Sequence, residues 1–211
     1  MGRTSDAKER LLTAISDLIW LGSYGRTSVD QICERAEVKK GSFYHFFASK
    51  TDLAIAAIDQ ASQGIFAEFD HIYAPTVDPL ERLRNEAKWG YEHQKNVAKQ
   101  YGRVLGCPLF ALGAEVGTSE EALTNKVKEI LNRHLQYYES ALRDAQRLHL
   151  IDDRPVEPMA RRLMAYAEGM LTQARIYNDL SYIAEIEDGF MDMLRPIQPI
   201  HTNQNADLLT K

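Results

Sequence analysis

The chain lacks several features that mark common classes of protein. Only two cysteines occur among 211 residues, at positions 33 and 107, and neither has a partner at the spacing of a zinc site or a redox pair. No apolar run approaches the roughly 18 residues that a membrane-spanning helix needs, and no apolar leader follows Met1. We therefore expect a soluble, cytoplasmic protein with reduced thiols and no membrane partner.

Motifs of catalysis and cofactor binding are missing as well. The sequence has no glycine-rich phosphate loop, no Ser-His-Asp order and no pair of carboxylates at a catalytic spacing. Its six histidines show no metal-ligand spacing; they are His45, His71, His93, His134, His149 and His201. We predict no enzyme, no metal and no cofactor, although a helical protein can hold an active site without a recognisable motif.

An excess of positive charge is also absent. Thirty acidic residues outweigh 25 lysines and arginines, which gives a net charge of -5. The distribution is uneven, because residues 1–50 carry eight basic and six acidic side chains, whereas the rest of the chain carries 17 basic and 24 acidic ones. A slightly basic N-terminal part on an acidic body is compatible with DNA binding. The affinity would depend on where the basic side chains lie and on their number being doubled in a dimer.

Apolar residues recur at helical spacing along most of the chain, and no alternation typical of a strand is present. With 45% hydrophobic residues the chain is long enough to bury a core. We predict an all-α fold of about nine helices. The expected helices cover, in order, about residues 6–21, 29–36, 40–47, 50–72, 79–93, 109–112, 119–148, 156–178 and 181–194.

Local signals place several of these helix ends. Ser28 is the expected N-cap of the second helix. Ser49 and Asp52 form a start of the fourth helix that resembles a capping box, with Asp where the motif usually has Glu. Pro79 fits the first turn of the fifth helix.

Residues 28–53 compress two short helices, a tight turn and the start of a third helix. Ile32, Cys33 and Ala36 recur at helical spacing, so one face of the first short helix is expected to be buried. The second is polar or basic on one side and carries Phe43 and Phe47 on the other. This pattern is typical of a helix-turn-helix, in which a helix held against a core presents its front face to DNA.

The same stretch resembles the TetR family of transcriptional regulators. The family signature runs Thr-Ser-Val near helix 2 and Lys-Gly-(Ser/Thr)-(Phe/Leu)-Tyr-(Tyr/His)-(His/Phe)-Phe-x-Ser-Lys through helix 3. This chain reads Thr-Ser-Val at 27–29 and Lys-Gly-Ser-Phe-Tyr-His-Phe-Phe-Ala-Ser-Lys at 40–50. Two positions depart: Glu37 stands where the family usually has glycine, and Lys39 where a serine caps helix 3. We expect backbone strain at Glu37 and a third helix without a side-chain cap.

The resemblance implies a three-helix DNA-binding head on a helical body. We place a helix-turn-helix domain at residues 1–50, an effector-binding and dimerisation domain at 51–195, and a flexible tail at 196–211. The expected function is that of a ligand-responsive transcriptional repressor that binds a palindromic operator as a homodimer. A small, mostly apolar or electrophilic effector would release it. Sensing through a thiol and a fold that has lost DNA binding remain as alternatives.

DNA contacts are expected from the head. Hydroxyls at helix starts and a flexible ammonium suit phosphate oxygens; these are Thr27, Ser28, Tyr44 and Lys50. Base edges are expected to meet Lys39, Lys40, Ser42 and His45. Gly41 permits close approach of the duplex. Phe43 and Phe47 are interpreted as core aromatics, whereas the polar tips of Tyr44 and His45 need exposure.

Aromatic side chains with a few polar tips fall in the regions that form the ligand chamber of the family. The candidates for effector binding are Phe69, Trp89, His93, Cys107, Phe110, Tyr137, Tyr138 and Tyr166. Each is alternatively an ordinary core residue, because aromatic residues at helical spacing usually are.

Cys107 supports a sharper hypothesis. Gly106-Cys107-Pro108 resembles a turn in one subgroup of the family, some members of which sense electrophiles or oxidants through that thiol. A cysteine of low pKa near a helix start would react first with such compounds. The alternative is a buried, inert thiol, which is our interpretation of Cys33.

The resemblance to the TetR family implies that two apolar stripes near the C-terminus form a four-helix dimer interface. They comprise Met159, Leu163, Tyr166, Met170 and Ala174 of the eighth helix and Ile183, Ile186, Phe190, Met193 and Leu194 of the ninth. The alternative is that both stripes face the core of their own chain.

Overall fold

A computed structural model describes residues 3–197, with side chains from residue 6 onward. Within that range it contains ten helical segments and no strand. They are α1 (Arg3–Leu21), α2 (Val29–Arg35), α3 (Lys40–Phe46), α4 (Lys50–Ile72), α5 (Pro79–Tyr101), α6 (Pro108–Val116), α7 (Glu121–Arg147), α8 (Val156–Tyr177), α9 (Ser181–Ala184) and α10 (Ile186–Leu194). The expectation of an all-α fold of about nine helices is confirmed. The predicted ninth helix is interrupted at Glu185, and most of the predicted tail, residues 198–211, lies outside the described residues.

Helix starts follow the local chemistry of the sequence. Ser28 caps α2 by accepting a hydrogen bond from the Gln31 backbone N–H at 3.2 Å, while the Gln31 side chain accepts one from the Ser28 N–H at 2.8 Å. Ser49 caps α4 in the same way, accepting from the Asp52 N–H at 3.0 Å. The Asp52 carboxylate meets the Ser49 hydroxyl instead of the Ser49 N–H, so only half of the capping box forms. An aspartate is one methylene shorter than the glutamate that usually closes this motif.

Two helices extend beyond the last residues that the sequence pattern names for them. α5 continues beyond His93 to Tyr101 and ends at Gly102, which has a left-handed φ of 74°. α6 begins at Pro108 and reaches Val116. Glycine adopts this left-handed conformation without the steric cost that a Cβ adds, so Gly102 marks the true end of α5.

Two buried apolar clusters organise the molecule. The head cluster joins α1, α2, α3 and the first half of α4, and it is closed from the body side by Leu112, Val116, Leu123 and Val127. The body cluster joins α4, α5, α7, α8, α9 and α10. α4 contributes to both clusters, and α6 and α7 complete the head core, so the head packs directly on the body.

Most of the apolar residues on α8 and the last helices face the body core, which corrects their assignment to a dimer interface for the buried ones. α8 packs on α7, α9 and α10, so these stripes are covered within one chain. Eight of the assigned residues are at most 8% exposed: Met159, Leu163, Met170, Ala174, Ile183, Ile186, Phe190 and Leu194. Tyr166 and Met193 are partly exposed.

Glu115 of α6 holds the segment that joins α1 to α2. Its carboxylate accepts hydrogen bonds from the Ser23 hydroxyl at 2.6 Å, the Gly25 N–H at 2.7 Å and the Tyr24 N–H at 3.1 Å. Burial raises the pKa of this carboxyl, but the hydrogen bonds outweigh burial and hold the pKa below its usual value. The ionised form of Glu115 therefore ties the head to α6.

Acidification is expected to weaken this attachment. A carboxyl with a lowered pKa in the folded state stabilises the fold above its unfolded pKa, about 4.3 for glutamate, and the contribution is lost as the pH falls through the folded-state pKa. We expect Glu115→Gln to lower the melting temperature at pH 7, and the difference from the wild type to shrink below about pH 4. Thermal unfolding followed by circular dichroism between pH 3 and 7 measures this difference, with the exposed Glu68→Gln as control. A difference that is the same at every pH would contradict the role of the charge.

Candidate DNA-binding surface and effector cavity

α2 and α3 form a helix-turn-helix. The turn is closed by a hydrogen bond from the Val38 N–H to the Cys33 carbonyl oxygen at 3.0 Å. Between them, Glu37 has a φ of 52°, so the expected left-handed conformation at this non-glycine residue is confirmed. Such a conformation costs roughly 1–2 kcal/mol for a residue with a Cβ. The closing bond belongs to a helix C-terminus, so the departure at Glu37 leaves the geometry of the turn intact.

α3 is anchored on one side and open on the other. Phe43 is fully buried and Phe47 is 7% exposed, which confirms them as core aromatics. Lys39 precedes α3 without a side-chain cap hydrogen bond, as predicted. The opposite side of the helix is exposed, and Tyr44 has 54% of its surface open to solvent. The exposed candidates for DNA contact on and before this helix are Lys39, Lys40, Gly41, Tyr44 and His45, and Ser42 is half-buried.

Three predicted DNA contacts already have partners within the head. The Lys50 ammonium donates to the carbonyl oxygens of Tyr24 and Thr27, each at 2.9 Å, and lies 4.0 Å from the centre of the Tyr24 ring. Thr27 is 6% exposed, and its hydroxyl donates to the Ser23 carbonyl oxygen at 2.7 Å. Lys40 pairs with Asp30 at 2.7 Å on the surface. Lys50 and Thr27 thus hold the loop before α2 in place. Lys40 can contact DNA once it breaks its ion pair with an exposed carboxylate.

A cavity of about 140 Å³ lies in the body between α4, α5, α7, α8 and the ends of α6 and α10. Five of the predicted effector residues line it: Phe69, Trp89, His93, Cys107 and Tyr138. Three do not. The Tyr137 hydroxyl donates to Asp70, the Tyr166 hydroxyl reaches the Glu185 carbonyl oxygen at 3.4 Å, and Phe110 packs against the body core.

Two buried carboxylates in this wall were missed from the sequence. Glu86 of α5 accepts a hydrogen bond from the Tyr138 hydroxyl at 2.8 Å, lies 2.8 Å from His134 Nε2 and accepts a further bond from the Tyr73 hydroxyl. Burial lowers the pKa of His134, but the Glu86 charge, the hydrogen bond with Glu86 and the Glu168 charge together outweigh burial and raise the pKa above its usual value. The available signal was a glutamate on the apolar face of an amphipathic helix.

The second carboxylate is Glu168 of α8, which is 6% exposed. Its Oε2 has no hydrogen-bond partner among the described residues. Burial raises the pKa of Glu168 to about 7, despite a hydrogen bond from the Cys107 thiol and the charge of His134, both of which act in the opposite direction. The cavity thus combines apolar walls with one incompletely satisfied acid.

Cys107 does not have the low pKa that its place at a helix start suggested. Burial raises the pKa of this thiol well above its usual value, and the neighbouring Glu168 charge raises it further. Backbone N–H groups of Leu109 and Phe110 act in the opposite direction but do not compensate. The thiol is therefore protonated at neutral pH, and the reactive thiolate is scarce.

Stacked aromatic rings connect the cavity to the head. The Trp89 and His93 rings are 5.1 Å apart at 14°, and His93 stacks in turn on Trp20 of α1 at 6.4 Å and 17°. The Trp20 indole N–H donates to the Gly106 carbonyl oxygen at 3.1 Å, which also accepts from the Gln94 amide at 3.0 Å. Because His93 and Gln94 line the cavity, the last turn of α1 rests on its wall.

Gly106 is required at this junction. It has a φ of 64°, and a Cβ placed on it would lie 2.8 Å from the Leu171 carbonyl oxygen. Its N–H donates to the Gln94 side chain at 3.0 Å. Arg175 of α8 completes the junction by donating to the carbonyl oxygens of Trp20 at 3.0 Å and Leu105 at 3.2 Å. We refer to Trp20, Gln94, Gly106 and Arg175 as the α1 junction.

Other kinds of site find no support in the described part of the chain. Residues 3–197 contain no helix that is long and apolar enough to cross a membrane. The same residues contain no group of three or more histidine, cysteine, aspartate and glutamate side chains placed to hold a metal ion.

Comparison with known proteins gives two family matches along the chain. A family described as "Bacterial regulatory proteins, tetR family" matches residues 11–57, and one described as "Tetracyclin repressor-like, C-terminal domain" matches residues 79–190. The transcriptional regulator AcuR of Cereibacter sphaeroides is 26% identical and covers 81% of this chain and 77% of its own. The HTH-type transcriptional repressor NemR of Escherichia coli K12 is 24% identical, with coverages of 77% and 79%.

The fold is found in solved structures as well. The crystal structure of regulatory protein TetR from Rhodobacter sphaeroides superposes with a TM-score of 0.79 at 23% identity, over 90% of this chain and 99% of that one. The crystal structure of reduced E. coli NemR superposes with a TM-score of 0.77 at 21% identity, over 92% and 99%. These relatives are regulators of transcription rather than enzymes. With both family matches and a helix-turn-helix in place, the chain belongs to the TetR family of bacterial transcriptional regulators.

Proposed function

We propose that this protein is a ligand-responsive repressor that binds a palindromic operator as a homodimer and leaves it when a small molecule fills the body cavity. In this proposal residues 1–50 contact DNA, and residues 51–195 bind the effector and dimerise. The observation that carries the proposal is the α1 junction, which links α1 of the head to a separate apolar cavity; the exposed helix α3 packs on α1.

Recognition would place α3 in the major groove. Its exposed side chains suit base edges, with Lys39, Lys40, Ser42 and His45 as the candidates. Ser28 and Tyr44 are exposed and suit phosphate oxygens, whereas Thr27 and Lys50 act by positioning the loop that carries Ser28. Gly41 has open space around it: a Cβ built there meets no atom within 4 Å. Nothing within the head requires a glycine at that position, so close approach of DNA is the proposed reason for it.

Gly41→Ala separates folding from DNA binding. Alanine favours a helix over glycine by about 1 kcal/mol, so we expect stability to be unchanged or slightly higher. Operator affinity is expected to fall by about 1 kcal/mol or more, roughly fivefold, because the methyl group meets the duplex. Fluorescence anisotropy on an operator selected from a random duplex library with the wild-type protein measures the affinity. Gly64→Ala on α4, where a Cβ also meets open space, is the matched control. Equal affinities of both variants would refute the close approach.

Dimerisation is proposed through the outward face of α8, since its inward face is occupied by the core. Ala165, Gly169, Gln173 and Ile176 recur at helical spacing on that face, and Ile176 is 69% exposed. Small residues permit close approach of a second helix, and a large exposed apolar side chain suits the centre of an interface. A two-fold axis there would place two copies of α3 on one side of the duplex, with half-sites one helical turn or a multiple apart.

Ile176→Glu is expected to raise the dimer dissociation constant at least tenfold, because a charge would be buried against its symmetry mate. Sedimentation equilibrium measures the change. Leu21→Glu, an exposed apolar residue of the head at 44% exposure, is the control and should leave the dimer intact. Dissociation of the Leu21 variant, with the Ile176 variant unaffected, would locate the interface elsewhere.

Release is proposed to pass through the α1 junction. A ligand that displaces the His93 ring or the Gln94 amide would disturb the contacts of Trp20 and with them the position of α1. The ligand would then favour a separation of the two heads that cannot span both half-sites.

Trp20→Phe keeps an aromatic ring beside His93 and removes the donor to Gly106. We expect it to bind the effector with nearly wild-type affinity but to reduce release from DNA, because the coupling between the two sites weakens. The measurement is the ratio of operator affinities with and without a ligand, found by thermal-shift screening, that releases the wild type. Tyr91→Phe on α5 is the control. Full release of the Trp20 variant would show that coupling takes another route.

A thiol sensor is the alternative that the sequence suggested, and the surroundings of Cys107 do not favour it. Its thiol is held protonated by burial and by Glu168, which slows reaction with electrophiles. We therefore assign Cys107 to the wall of a reversible binding site.

A further inference from the structure

Glu168 and Glu86 differ in how completely their oxygens are satisfied. Glu86 has three partners, Tyr73, His134 and Tyr138. Glu168 has an oxygen, Oε2, with no partner among the described residues, although it is almost wholly buried. Buried polar atoms are nearly always hydrogen-bonded, so an exception in a cavity wall points to a donor supplied from outside the chain.

The groups that surround Glu168 leave its charge uncompensated. From the other helices, Cys107, His134, Tyr138 and Glu86 face it, and of these only His134 can carry positive charge. His134 is held by Glu86. No lysine or arginine is among the residues that line the described cavity. A ligand that complements this wall would therefore carry a positively charged hydrogen-bond donor.

The remaining walls suit the apolar part of such a ligand. Phe66, Phe69, Trp89 and Phe190 line the cavity, and aromatic ring faces attract cations. The volume of about 140 Å³ resembles that of an engineered cavity of about 150 Å³ that holds one benzene molecule. The ligand therefore has about one ring.

We propose that the cavity binds a small apolar primary amine, with its ammonium group on the Glu168 carboxylate and its ring or chain among the cavity aromatics. This inference rests on the proposed function, in which the cavity is the effector site, and it names the class of effector.

Affinity for the amine should depend on pH. The pKa of Glu168 is about 7, so its ionised fraction, and with it the attraction for an ammonium group, increases between pH 6 and 8. His134 also faces Glu168 and can change charge, and Glu86 holds the pKa of His134 above its usual value. The Cys107 and Tyr138 protons, whose pKa values are raised, stay in place.

Three probes of matched size test the proposal by isothermal titration calorimetry on the full chain: benzylamine, benzyl alcohol and benzoate. We expect the wild type to bind benzylamine at least tenfold more tightly than benzyl alcohol, to bind benzoate least, and to bind benzylamine more tightly at pH 8 than at pH 6. Glu168→Gln should weaken benzylamine binding at least tenfold, leave benzyl alcohol nearly unchanged and remove most of the pH dependence. Glu157→Gln, an exposed carboxylate in the first turn of the same helix, should match the wild type.

The proposal is overturned if benzyl alcohol or benzoate binds as tightly as benzylamine, or if neither benzylamine nor 2-phenylethylamine binds. Thermal unfolding shows whether Glu168→Gln folds; if it does not, the wild-type preference for the amine and its pH dependence decide. Operator binding is measured separately. If the protein binds the amine but no operator, the proposed repressor function is wrong and the proposed amine site stands. If only a neutral ligand releases the operator, the proposed amine site is wrong and the repressor function stands.

Discussion

The structure depends on one shared acceptor, the carbonyl oxygen of Gly106. It receives the indole N–H of Trp20 from the head and the amide of Gln94 from the body, on a backbone that only glycine can adopt against Leu171. In the proposed function, a binding event in the cavity reaches the head because the last turn of α1 rests on the cavity wall, and this acceptor provides that contact. The aromatic stack of Trp89, His93 and Trp20 runs beside it.

The body contains two buried carboxylates whose hydrogen-bonding surroundings differ. Glu86 is surrounded by donors and so stabilises the packing of α5 on α7. Glu168 has an oxygen without a partner in the described part of the chain, and it lies beside a thiol that it also holds protonated. A buried acceptor left unpaired weakens the folded state, and such a group persists where function uses it. The Glu168 carboxylate favours an amine as the ligand and also makes Cys107 a poor nucleophile. The amine-site hypothesis and the thiol-sensor hypothesis therefore both depend on Glu168, in opposite directions.

Sequence reasoning succeeded where neighbours along the chain decide the outcome. The cap at Ser28, the left-handed Glu37 and the uncapped start of α3 follow from side-chain and backbone chemistry within a few residues. It failed where an apolar stripe could face either of two partners. Periodicity shows that one side of α8 is buried, but it does not distinguish burial against α7 of the same chain from burial against a second copy. In the structure this side packs against α7.

By itself the sequence determined the all-α class, the helix-turn-helix and the family, because these rest on local spacing and on a contiguous run of residue types. Only the tertiary structure decided which aromatic residues line the cavity, which lysines are engaged within the head and which carboxylate lacks a partner among residues 3–197. The physical reason is that burial, pKa and hydrogen bonding depend on groups distant in the chain. Glu168 is influenced by Cys107, His134 and Glu86, which lie on three other parts of the chain. No residue pattern along α8 predicts that these groups are neighbours of Glu168.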